Sequence, residues 1–145
     1  MKKIFLIRHG QAQTNVTGIH NSNPNIKYYL TPKGIEQAQE VATKLKEEPI
    51  DCIYSSQIQR AIETAQIIIE YHNLSTIEDE RINEKKAGIE GKALEEYFEL
   101  EEEAEDIMNF KINDGESWNE LITRVKEFLN EILSSQHSNI VIVSH

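Results

Sequence analysis

The chain has 145 residues, a formal net charge of -10 and a single cysteine, with 39% hydrophobic and 28% charged residues. That length suits one domain, residues 1–145, able to bury about 70% of its unfolded surface. The acidic balance argues against nucleic acid or an anionic membrane surface as partner, and lone Cys52 excludes an internal disulfide and fits a reducing cytoplasm. No segment approaches the roughly 20 apolar residues of a membrane span, and the few apolar residues ahead of Arg8 are too few for a signal peptide.

Met1 to Asn15 opens the chain, and Ile4, Phe5, Leu6 and Ile7 within it predict a central strand buried on both faces. The run breaks into Arg8, His9 and Gly10, at the strand end where open α/β sheets place their ligands. Gly10 lets the chain turn and lets a ligand approach the backbone. Arg8 offers a planar fork of donors, and His9 can serve as nucleophile, base or metal ligand. Two readings stand at this point: a strand end capped by solvated polar residues, or a site.

Val16 to Tyr29, with its Asn, Gly and Ser and Pro24, reads as a loop. Thr31-Pro32 starts a helix, Thr as cap and Pro at the first helical position, with Ile35, Ala38, Ala42 and Leu45 on its apolar face. Cys52 to Tyr54 is a short strand ending in Ser55-Ser56, and its neighbours make Cys52 a buried, inert thiol. Ile58, Ala61, Ile62, Ala65, Ile68 and Ile69 recur at helical spacing behind it. Thr76 to Ile82 reads as a short extended piece. Lys92 to Met108 predicts a strongly acidic helix, either a solvated face or a lid that sets specificity. Ser117 and Glu120 have the spacing of a capping box before a helix that buries Leu121, Ile122, Val125, Phe128, Leu129 and Ile132. Ile140 to Val143 is a second apolar strand, ending in Ser144-His145. Strands alternating with helices predict a layered α/β fold with a largely parallel sheet.

In such a sheet Arg8-His9, Arg60 and His145 all fall near the ends of buried strands or one turn into the following helix. Brought together, two arginines can clamp the oxygens of a phosphoryl group and a neutral imidazole can attack it. A metal site is the weaker reading, because two arginines repel a cation. His20, His72 and His137 read as loop or surface residues.

LIRHGQAQTN (Leu6 to Asn15) resembles the signature of the histidine phosphatase superfamily, also called the phosphoglycerate mutase-like family. The resemblance continues through LTPKGIEQA (Leu30 to Ala38), SSQIQRAIETA (Ser55 to Ala65), ERINEKKAGIEGK (Glu80 to Lys92), NDGESW (Asn113 to Trp118) and VIVSH (Val141 to His145). These pieces span nearly the whole chain in the family's order. The resemblance implies a three-layer α/β sandwich with a mainly parallel sheet, helices on both faces, and a covalent phosphohistidine at His9. It implies a phosphate pocket of Arg8, His9, Gly10, Asn15, Arg60 and His145, with no cofactor and no metal. Glu84 matches the family's acidic residue, which protonates the leaving oxygen and later activates water; Glu90 is the alternative for that role.

Three departures stand out. Gln11 replaces an acidic residue common after the RHG triplet, Ile89 replaces an aromatic one, and the family continues past the second histidine whereas this sequence stops at His145. An apparently missing C-terminal part predicts an apolar sheet flank left uncovered, and with it a truncated form, a homodimer over that flank, or impaired activity. The leading expectation is a metal-independent phosphatase acting on a small phosphorylated substrate. A cofactor-dependent phosphoglycerate mutase and a catalytically weak phosphohistidine-binding or regulating domain are the alternatives.

Overall fold

The structure is a computed structural model that describes residues 1–145. Four strands, β1 (Lys3–Arg8), β2 (Cys52–Ser55), β3 (Thr76–Glu78) and β4 (Asn139–Ser144), form one sheet in the order β1-β4-β2-β3, every neighbouring pair parallel. Five helices connect or cover them: α1 (Gln13–Thr17), α2 (Pro32–Leu45), α3 (Gln59–Ile69), α4 (Leu94–Glu102) and α5 (Trp118–Ser134). This is the expected mainly parallel α/β sandwich.

Alternation along the strands builds two cores. Ile53, Val141 and Val143 point to the side of α2 and α3, where they pack with Ala42, Leu45, Ala61, Ala65 and Ile68. Cys52, Tyr54, Ile140 and Ile142 point the other way, against Phe128 and Ile132 of α5. Phe128 and Ile132 are fully buried, each contributing about 1.5–3 kcal/mol. Local chemistry places the helices. The Thr31 hydroxyl accepts the Gly34 amide at 3.1 Å ahead of Pro32. Ser117 and Glu120 form a reciprocal capping box at the start of α5.

Four expectations are corrected. β1 is an edge strand rather than a central one, because β4 pairs on one side of it only; Leu6 is 74% exposed. An apolar cleft of about 670 Å3, lined by Leu6, Leu121, Ile122, Val125 and Leu129 among others, runs along that flank. Val16 and Thr17, expected to begin a loop, instead end the short helix Gln13–Thr17. Ile35 and Ile122 sit at apolar positions of the helical pattern yet are 41% and 37% exposed. Finally, the acidic helix ends at Glu102, well short of Met108.

Candidate active site

The carboxyl ends of β1, β4 and β2 lie side by side, so the residues that leave them meet. The His9 amide donates to the Ser144 carbonyl at 2.9 Å, extending the β1–β4 ladder one residue into the site. Gly10 serves packing more than turning: a Cβ there would run into the Gly34 carbonyl of α2. Its amide donates to the Thr64 hydroxyl at 3.1 Å.

His9 is 7% exposed. Its Nδ1–H donates to the Gly10 carbonyl at 2.7 Å, which leaves Nε2 with a lone pair. That lone pair accepts from Arg60 Nε at 3.0 Å. Burial pushes the His9 pKa down to about 4, against the Gly10 bond and with help from the Arg60 and Arg8 charges. At neutral pH the ring is therefore uncharged.

Arg60 is 3% exposed, and each of its terminal nitrogens commits one N–H and keeps one. Nη1 donates to Asn21 Oδ1 at 2.9 Å and Nη2 to the Asn21 carbonyl at 3.0 Å. Asn21 in turn donates from Nδ2 to Glu90 Oε1 at 2.7 Å. Glu90 also accepts the Ser22 amide and hydroxyl, both at 2.9 Å. Burial raises the Glu90 pKa, but these bonds outweigh it and hold the carboxyl below its ordinary range. An ionised, fully engaged carboxylate is a support for Arg60 and poorly suited to deliver a proton.

Glu84 is differently placed. Its side chain is 32% exposed, with Oε2 at 3.6 Å from Arg60 Nη2 and 3.9 Å from His145 Nδ1. The backbone that carries it is fixed by Arg124, which donates to the carbonyls of Arg81 at 2.7 Å and Asn83 at 3.0 Å. His145 packs its ring 5.1 Å from that of His9. Its Nε2 meets Ser56 Oγ at 2.8 Å. That hydroxyl already accepts the Ile58 amide at 3.1 Å, so its own hydrogen is free to donate to Nε2. Nδ1 of His145 is buried and without a partner, and it carries the ring proton when Nε2 accepts from Ser56. Burial, reinforced by the Arg60 and His9 charges, holds this ring well below its ordinary pKa.

Arg8, His9, Asn15, Arg60 and Glu84 line one cavity of about 330 Å3. Arg8 is exposed at its mouth, and Asn15 uses Oδ1 to accept the Ala12 amide at 2.8 Å. The sequence motifs thus converge in space. Reading by motif missed Asn21, Thr64 and Ser56, which hold the motif residues in place. It also misassigned His20, which is 6% exposed and lines the same cavity, with burial lowering its pKa. Asn21 sits in an irregular loop and Ser56 just past the end of β2, where no periodicity marks them, whereas Thr64 is a buried polar residue within α3. The one available signal was that a buried arginine requires acceptors. Gln11 turns away to accept the Thr31 hydroxyl at 2.8 Å.

A site with an unprotonated imidazole nitrogen, two guanidinium groups, a second buried imidazole and an adjacent carboxyl can accept and release a phosphoryl group. Comparison with known proteins agrees with that chemistry. The model of the histidine phosphatase superfamily (branch 1) matches residues 4–145. The chain is 34% identical over 155 residues to phosphoserine phosphatase 1 of Hydrogenobacter thermophilus, covering 100% of this chain and 71% of that one. It is 43% identical over 84 residues to the 2,3-bisphosphoglycerate-dependent phosphoglycerate mutase of Thermoplasma acidophilum, covering 58% and 42%. The α-ribazole phosphatase of Shigella flexneri has the same fold, with a TM-score of 0.84 at 30% identity over 98% of this chain and 73% of that one. The chain belongs to the histidine phosphatase superfamily, branch 1.

Proposed function

We propose that the protein is a phosphomonoesterase that works through a phosphohistidine on His9 and draws its transition-state charge from arginine rather than from a metal. The observation that carries the reading is the uncharged His9 ring with its Nε2 lone pair facing Arg60 at 3.0 Å, in a cavity that also holds Arg8 and Glu84. In the first step Nε2 attacks phosphorus as the bond to the leaving oxygen breaks. Glu84 gives its proton to that oxygen, and the phosphoryl oxygens lie against Arg8, Arg60, Asn15 and the Nδ1–H of His145. In the second step Glu84 takes a proton from water, the water oxygen attacks phosphorus, and the N–P bond breaks. Inorganic phosphate leaves, and His9 returns to its neutral tautomer. Proton transfer of this kind contributes about 100-fold to 10000-fold. The substrate is a small phosphate monoester, in keeping with the phosphoserine and α-ribazole phosphatases among its relatives.

The test compares the protein with His9→Ala on a generic aryl phosphate. Removal of the nucleophile lowers kcat/KM by about a thousandfold or more, and an acid-labile phosphoryl adduct forms on the unaltered protein alone. Equal rates for the two proteins would refute the proposal. The Thermoplasma relative favours a second reading, phosphoglycerate mutase. Under it, phosphoryl transfer between 2- and 3-phosphoglycerate proceeds without release of inorganic phosphate.

A further inference from the structure

The cavity that holds His9 and Glu84 is walled on its outer side by one face of α4, through Leu94, Glu95 and Phe98. Leu94 and Phe98 stand one helical turn apart, and they remain 36% and 47% exposed. They are unpartnered yet held in place. Between them and the body of the protein lies Tyr97, 2% exposed, whose hydroxyl accepts from Lys85 Nζ at 2.6 Å and donates to Glu101 at 2.7 Å. The Trp118 indole donates to the same Glu101 oxygen at 2.6 Å, tying α4 to the start of α5. The Phe98 ring meets Tyr97 edge to face at 5.8 Å. The apolar wall is thus a fixed surface rather than a loose helix face.

Charge in the cavity is divided. Arg8 and Arg60 are its only lysine or arginine residues, and both lie on the phosphate side. The α4 side is acidic, with Glu84 between. Glu96 pairs with Lys92 at 3.8 Å, whereas Glu95 has no cation beside it. Lys85 is taken up by Tyr97 and by the ring faces of Tyr97 and Trp118, at 4.3 and 5.1 Å.

We propose that α4 selects the alcohol half of the substrate, and that this alcohol has an apolar or aromatic body carrying an ammonium or similar cationic group. Leu94 and Phe98 lie against the body, and Glu95 meets the cation. A substrate whose alcohol half bears a carboxylate is disfavoured, because both arginines are engaged by phosphate and the carboxylate faces Glu84 and Glu95. This selection rests on the phosphatase reading given above.

The test uses three phenyl phosphates of one shape, with a para-aminomethyl, a para-methyl or a para-carboxy group. Each kcat/KM is divided by the rate of that ester's hydrolysis in solution, to remove intrinsic reactivity. The corrected values fall from aminomethyl to methyl to carboxy, by roughly tenfold across the series, the size expected of one partly exposed charge contact aided by an aromatic face. Glu95→Gln flattens the gradient and Glu95→Lys inverts it. Glu95 is exposed, so both variants keep the fold. A flat series in the unaltered protein, or a gradient that survives both substitutions, overturns the proposal while leaving the phosphatase reading intact. Failure to hydrolyse any of the three overturns both.

Discussion

Arg60 Nε lies 3.0 Å from His9 Nε2, on the lone pair that a nucleophilic imidazole must offer. Without substrate, a guanidinium N–H satisfies a buried nitrogen that would otherwise be desolvated without a partner. In the phosphatase reading proposed above, the same N–H turns from His9 to a phosphoryl oxygen when Nε2 attacks phosphorus. Arg60→Lys tests this double duty. Lysine keeps the charge but cannot hold His9 and the two Asn21 oxygens with one planar fork. We expect kcat/KM to fall about 100-fold, with stability lowered by about 1–3 kcal/mol, measured by steady-state kinetics and urea unfolding. A drop in stability with unchanged kinetics would assign Arg60 a purely structural role.

The acid response follows from His9. Its folded pKa of about 4 lies below the ordinary histidine value of 6.5. Above pH 6.5 both folded and unfolded states hold the ring neutral, and nothing changes. As pH falls from there toward 4 the unfolded state binds the proton first, so folding weakens. The loss amounts to about 3 kcal/mol by the lower limit. His145 and His20 are shifted the same way and act in the same sense. Urea midpoints between pH 7.5 and pH 5 therefore drop for the unaltered protein and drop less for His9→Gln. Activity follows a different course: the folded ring stays neutral far below pH 6.5, so the His9 contribution to the acid limb of kcat/KM lies near pH 4. An acid limb that is insensitive to everything but His9 and centred at its ordinary pKa would contradict this assignment.

Glu84 and Glu90 were both candidates for the proton donor, and their surroundings separate them. Glu90 accepts three hydrogen bonds from Asn21 and Ser22. Glu84 accepts only the neighbouring Lys85 amide at 2.9 Å and has one oxygen facing Arg60 and His145. Glu84→Gln removes the proton needed by a poor leaving group far more than that needed by a good one. We expect kcat/KM for an alkyl phosphate to fall about 100-fold or more, and that for a nitrophenyl phosphate to fall much less. Equal losses on both esters would argue that Glu84 acts by charge alone.

The sequence was readable where chemistry is local. Thr31-Pro32 and Ser117 to Glu120 mark helix starts because their caps are satisfied within four residues. Apolar runs that break into Arg8-His9 and Ser144-His145 mark strand ends, and the motif order brought Arg60 and Glu84 with them. Strand order was not readable, since an apolar run such as Ile4 to Ile7 is equally consistent with an edge of a parallel sheet and its centre. Asn21 escaped notice for a related reason. Its role depends on the long-range approach of Arg60 and Glu90 to a loop without periodicity.

That loop gives the last prediction. Asn21 sits between a donor and an acceptor: its Oδ1 takes a hydrogen bond from Arg60, and its Nδ2 gives one to Glu90. Its amide orientation is fixed by the carboxylate, which can only accept. Glu90→Gln keeps the shape but places an amide where two donor groups can face each other. Either the new glutamine keeps its oxygen toward Asn21 and leaves the Ser22 donors opposite an NH2, or Asn21 turns over and presents its own NH2 to Arg60. Both arrangements leave a buried donor unmatched, at about 1–3 kcal/mol, and the second also loosens the guanidinium against His9. We expect KM for an aryl phosphate to rise about tenfold with a smaller change in kcat, because the arginine is displaced in the ground state as well as in the transition state. Glu90→Asp, which retains an acceptor-only group at shorter reach, recovers part of the loss. If both substitutions leave KM unchanged, the Glu90–Asn21–Arg60 chain holds up the loop without setting the arginine.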